Sequence, residues 1–148
     1  MATEIKSANG ATVLTNSDVT VKYALDKTVI SNKSETKPLI YIPVTNPANP
    51  DYKLDQLYVS FAGGATPGKK TGMITDLWVY YGNDEVFHAG DDSWAYTASF
   101  PVPVWRDYKL PDSKSYGVLV TLQLSLPDDG SFIELYSIDL SFKDIKSK

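Results

Sequence analysis

Apolar and polar residues alternate along this chain with a period of two, and no stretch sustains a helical period, which is the pattern of half-buried strands. Val19–Leu25 places Val19, Val21, Tyr23 and Leu25 on one face, with Lys27–Ile30 as a short partner. Pro38–Val44 is apolar with a proline near each end, which suits a sheet edge because proline donates no ladder hydrogen bond. Leu54–Ala62 turns Leu57, Val59 and Phe61 one way and Tyr58, Ser60 and Ala62 the other. Met73–Tyr81 divides into Leu77/Val79/Tyr81, the natural core face, and Ile74/Asp76/Trp78/Tyr80, which faces away from it. The Gly82-Asn83-Asp84 turn then leads into a short return strand, Glu85–Ala89. Tyr116–Leu126 alternates throughout, Pro127-Asp128-Asp129-Gly130 is a turn, and Phe132–Phe142 returns with Phe132, Glu134, Tyr136, Ile138, Leu140 and Phe142 on one side. Ala11–Thr15 and Tyr96–Phe100 read as weaker extended segments.

These elements predict about eight to ten short strands joined by turns, hence an all-β, antiparallel β-sandwich, with a closed β-barrel as the second architecture. Residues 1–148 form a single domain on this reading, with no repeat or linker.

Composition narrows the function classes. The formal charge of −4 and scattered lysines oppose the positive field that nucleic acid requires. No cysteine is present, so disulfides and thiol chemistry are excluded. No apolar run is long enough to span a bilayer as a helix, and the N-terminus lacks the pattern of a signal peptide. A cytoplasmic protein is the expectation, with secretion left open. The Asn32-Lys33-Ser34 sequon has meaning only in the secreted case.

Ile42-Pro43-Val44, Leu57-Tyr-Val-Ser-Phe61, a Gly-rich loop, Ile74-Thr-Asp-Leu-Trp-Val-Tyr-Tyr-Gly82, the Tyr116–Leu126 strand and Ile138-Asp-Leu-Ser-Phe142 follow in that order. In this the chain resembles small all-β bacterial proteins grouped as families of unknown function. The resemblance implies the sandwich and no activity.

Gly63-x4-Gly68-Lys69 imitates the start of a phosphate-binding loop, but Lys70 stands where Ser or Thr is required and a strand follows instead of a helix. His88 is the single histidine, so a Ser-His-Asp set could pass only through it, with Ser93 or Ser99 and Asp91 or Asp92 as nominal partners. No catalytic residue and no metal ligand is assigned. Calcium is the one cofactor that the acidic positions Asp84, Asp91 and Asp92 would suit, and Asp128-Asp129 are explained by turn chemistry.

Aromatic residues carry the remaining signal. Trp78, Tyr80, Trp94 and Trp105 lie close in sequence to Asp91, Asp92 and Arg106, a combination suited to stacking a sugar ring while bonding its hydroxyls. Those seven are the candidate ligand-binding residues, with Trp94 and Trp105 expected to be the more exposed tryptophans. The leading expectation is a non-catalytic, lectin-like module for carbohydrate or another small ligand. A structural homo-oligomer built on aromatic surfaces is the first alternative. The second is a barrel-type cyclase or isomerase using Asp76 or Glu134 as its acid.

Overall fold

The computed structural model describes residues 3–9, 13–15, 17–45, 52–82, 84–90, 93–94, 98–101 and 117–144. Ten strands run through them: β1 (Thr3–Asn9), β2 (Val19–Tyr23), β3 (Thr28–Asn32), β4 (Leu39–Val44), β5 (Tyr52–Ala65), β6 (Met73–Tyr81), β7 (Asp84–Ala89), β8 (Ala98–Pro101), β9 (Val118–Ser125) and β10 (Ser131–Asp144). They form two antiparallel sheets. One is ordered β2-β3-β10-β5-β8, with β1 pairing a further part of β10, and the other is β4-β9-β6-β7. The sheets are separate, so the architecture is a sandwich rather than a closed barrel.

Alternation explains how the sheets meet. Ile40 and Ile42, Leu77, Val79 and Tyr81, and Val120, Leu122 and Leu124 point inward from the four-stranded sheet. Ile30, Leu57, Val59, Phe61, Ile138, Leu140 and Phe142 meet them from the other sheet, in one hydrophobic cluster. Each such side chain, fully buried, contributes roughly 1.5–3 kcal/mol. Pro43 fits its strand because β4 is an edge. Tyr41 sends its N–H and C=O outward to Leu14, and Pro43, two residues on, has its nitrogen on that same side, where no ladder donor is needed.

Three expectations need correction. Ile74 is buried in the core instead of sharing a face with Asp76, because a β-bulge at Thr75 places both Ile74 and Thr75 in the space of one residue of β9. A second bulge, at Tyr136, reverses the start of β10. Ile133 and Leu135 are buried there, while Phe132, Glu134 and Tyr136 turn to the outer face. Leu25 is fully exposed instead of completing an apolar face, since it sits at the tip of the β2–β3 turn closed by the Ala24 N–H to the Lys27 carbonyl.

The Gly63–Gly72 connection is partly strand. Gly63, Gly64 and Ala65 extend β5 against β10, and a Cβ on Gly64 would lie 2.5 Å from the Phe132 ring that covers it. The loop beyond is tied to the β9–β10 turn, with the Lys70 N–H donating to Asp128 (2.7 Å) and Lys69 paired with Asp129 (2.9 Å). β1 has no counterpart in the sequence reading; its exposed Ile5 and buried Ala8 give little contrast to detect.

Candidate functional site

The outer face of the four-stranded sheet carries the candidate site. Register sets its side chains in three rows across the strands. Leu39 of β4, Gln123 of β9 and Asp76 of β6 form the first, and Tyr41, Thr121, Trp78 and His88 the second. Pro43, Leu119, Tyr80 and Glu85 form the third. Between the rows lies a cleft of ≈ 400 Å³ whose lining includes Leu39, Tyr41, Trp78, Tyr80, Leu119 and Thr121, with Gly82 at one end. Gly82 adopts φ of 59°, a left-handed conformation that glycine takes without strain, and its N–H donates to the Gly117 carbonyl.

Trp78 is held by its neighbour on β7. The indole and the His88 imidazole stack with centroids 4.8 Å apart and planes 3° from parallel. Two rings lying flat and side by side on a sheet would be separated by more than this. The spacing instead matches the distance between adjacent strands, so both rings stand up from the sheet, face to face. His88 covers one face of the indole, and the other is left toward Thr121 and the cleft. His88 Nε2 lies 3.2 Å from Asp76 Oδ1, which fixes the imidazole from the opposite strand. Gly90 makes this possible: a Cβ there would collide with Asp76 Oδ1 and lie 2.8 Å from His88 Nε2.

Tyr80 presents a neutral phenol. Burial first, then the negative charge of Glu85 and the nearby Tyr41, push its pKa up, so it keeps its proton as a hydrogen-bond donor.

The structure sorts the sequence-predicted residues. It brings Trp78 and Tyr80 together on the outer face. Trp94 is corrected: it is half-buried, packs against the core cluster and exchanges backbone hydrogen bonds with Ile74, so it is drawn onto the end of β6 rather than displayed. Asp91, Asp92, Trp105 and Arg106 lie outside the described residues. His88 meets Asp76, which was not among its nominal partners. Among the described residues no group of three or more His, Asp or Glu could hold a metal ion. Glu134 is also corrected. The Tyr136 hydroxyl first, then Lys27, hold its carboxyl below the usual range, so it is an ionised surface acid on the other sheet and not a buried proton donor.

Tyr41, Leu39, Leu119 and Thr121 were missed. Tyr41 was legible only as one residue of an apolar edge segment, and nothing local in the sequence connects it to Trp78.

No protein-family model matches the chain, and no curated protein matches it. Among solved structures it is similar to a family 29 carbohydrate-binding module from Piromyces equi, with a TM-score of 0.51 and 12% identity over 100% of this chain and 96% of that one. It is also matched with a low-affinity xylan-binding module, CBM86, from Roseburia intestinalis (TM-score 0.44, 16% identity, 95% and 96% coverage). At such identity the first likeness shows a shared fold. Among the described residues no helix is long and apolar enough to cross a membrane.

Proposed function

We propose that this chain is a non-catalytic carbohydrate-binding module whose ligand sits in the cleft on the outer face of the four-stranded sheet. The observation that carries the proposal is the Trp78–His88 stack: it fixes an indole upright and leaves its free face beside Tyr41, Tyr80 and Thr121. A pyranose ring offers an apolar C–H face that stacks on such an indole and peripheral hydroxyls that bond to phenols. The fold shared with a carbohydrate-binding module supports this reading. Of the two acids in the enzyme alternative, Glu134 is held ionised on the opposite sheet, while Asp76 remains on this face, paired with His88.

A glycan array followed by calorimetry on each hit tests the proposal. Trp78→Ala should abolish binding to the hits while the protein stays folded by circular dichroism. Retention of full affinity in that variant would place the ligand elsewhere.

A further inference from the structure

Two buried side-chain oxygens among the described residues have no hydrogen-bond partner of normal geometry, Tyr81 Oη and Thr121 Oγ1. They lie on opposite faces of one sheet. Tyr81 points into the core, with the Leu54 backbone beside it, and burial pushes its pKa far up. Thr121 is on the outer face, 95% buried from its 5% exposure, yet it lines the cleft. Its register neighbours are Tyr41 on one side and Trp78 on the other.

A shielded hydroxyl without a partner is costly, and valine, of the same shape and well suited to strands, would avoid that cost. The hydroxyl therefore stands at the expense of stability, at the point where the two aromatic flanks meet. The two flanking strands lie two spacings apart, about 9.6 Å. That leaves room for one ring making van der Waals contact at about 3.5–4 Å on each side. The free protein holds Oγ1 in its shielded rotamer, and the bound ring would draw it toward the slot by one χ1 step of about 120°.

Resting on the carbohydrate reading above, we infer that Thr121 is a ligand-bonding, specificity-determining residue. A neutral sugar residue enters on edge between Tyr41 and Trp78, and one of its hydroxyls bonds to Thr121 Oγ1. Neutral sugars are favoured over uronates because no lysine or arginine is among the described lining residues, while Asp76 and Glu85 stand in the flanking rows.

The test compares wild type, Thr121→Val and Thr121→Ser by calorimetry against cellohexaose, mannohexaose, xylohexaose and hexagalacturonate, with thermal melts of the free proteins. Thr121→Val should raise Tm by roughly 2–4 °C, the shift expected when a small stability penalty is relieved in a domain of this size. The same variant should weaken binding of the preferred neutral hexasaccharide roughly three- to tenfold, the worth of one hydrogen bond. Thr121→Ser, which keeps the hydroxyl, should retain the wild-type affinity. Unchanged affinity in Thr121→Val, or a lowered Tm, would overturn the role of Thr121 while the carbohydrate proposal stood on the Trp78→Ala result. Preferred binding of hexagalacturonate would overturn the ligand class. If wild type binds none of the four while the glycan array is also blank, the carbohydrate reading fails and this inference with it.

Discussion

Gly90→Ala separates the architecture of the site from the stability of the fold. The φ of Gly90 lies outside the left-handed region, so alanine meets no backbone objection. Its Cβ, however, would fall on Asp76 Oδ1 and within 2.8 Å of His88 Nε2 and 3.1 Å of His88 Cε1. These are the far ends of side chains that are 23% and 42% exposed, so the clash is relieved by driving the pair apart rather than by moving a strand. Losing a partly exposed contact of this kind costs about 0.2–1 kcal/mol, and losing the ring stack about 0.5–1.5 kcal/mol. Restricting the unfolded chain returns about 0.4–1 kcal/mol. The net expectation lies between no loss and a loss of roughly 2 kcal/mol, with a cooperative transition retained. Urea unfolding measures that loss. Because His88 is the single histidine, its two carbon-bound ring protons give an unambiguous pair of NMR signals, and the Hε1 signal is followed, shifted upfield in wild type by the Trp78 ring current. In Gly90→Ala that signal should move downfield, and affinity for the array hits should fall with it. A loss above about 3 kcal/mol would show that Gly90 is needed by the backbone. An unmoved imidazole signal would refute the packing argument directly.

Other substitutions follow from the same geometry. Gly72→Ala should be far more damaging than Gly90→Ala, since its Cβ would strike the Phe132 carbonyl and lie 2.8 Å from the carbonyl carbon, both backbone atoms. A cost of about 3 kcal/mol or failure to accumulate folded protein is expected, and near-neutral behaviour in urea unfolding would contradict it. Leu122→Ala, at a position 1% exposed between the sheets, should lower stability by about 2–5 kcal/mol in the same assay. Glu134 has a depressed folded-state pKa, so its contribution is present above the unfolded value and is lost as pH falls through the folded one. Glu134→Gln should therefore lower stability slightly at neutral pH, where the carboxylate's contribution is present, and flatten the pH dependence below about pH 4.5, read from unfolding midpoints across that range.

The sandwich was legible because one-sided burial imposes a period of two, and β6 and β9 obey it over most of their length. The core face Leu77/Val79/Tyr81 and the outward turn of Trp78 and Tyr80 follow from that rule alone. It fails where a bulge inserts a residue: on the N-terminal side of Thr75 and of Tyr136 the same alternation assigns side chains to the wrong sheet face. Apolar positions change parity there, from Ile133 and Leu135 to Ile138 and Leu140, but a sequence reading that assumes an unbroken strand passes over the change.

What the sequence determined by itself is the class of fold, the inward face of each regular strand, and one half of the site, Trp78 and Tyr80. Tertiary pairing decided the rest. β9 lies between β4 and β6, so Tyr41 and Trp78, distant in the chain, face one another across Thr121. The β6–β7 register sets His88 against Trp78 and the bulge-shifted Asp76 against His88. No local rule encodes such neighbours, because strand order is fixed by the burial of the whole core and not by any single segment.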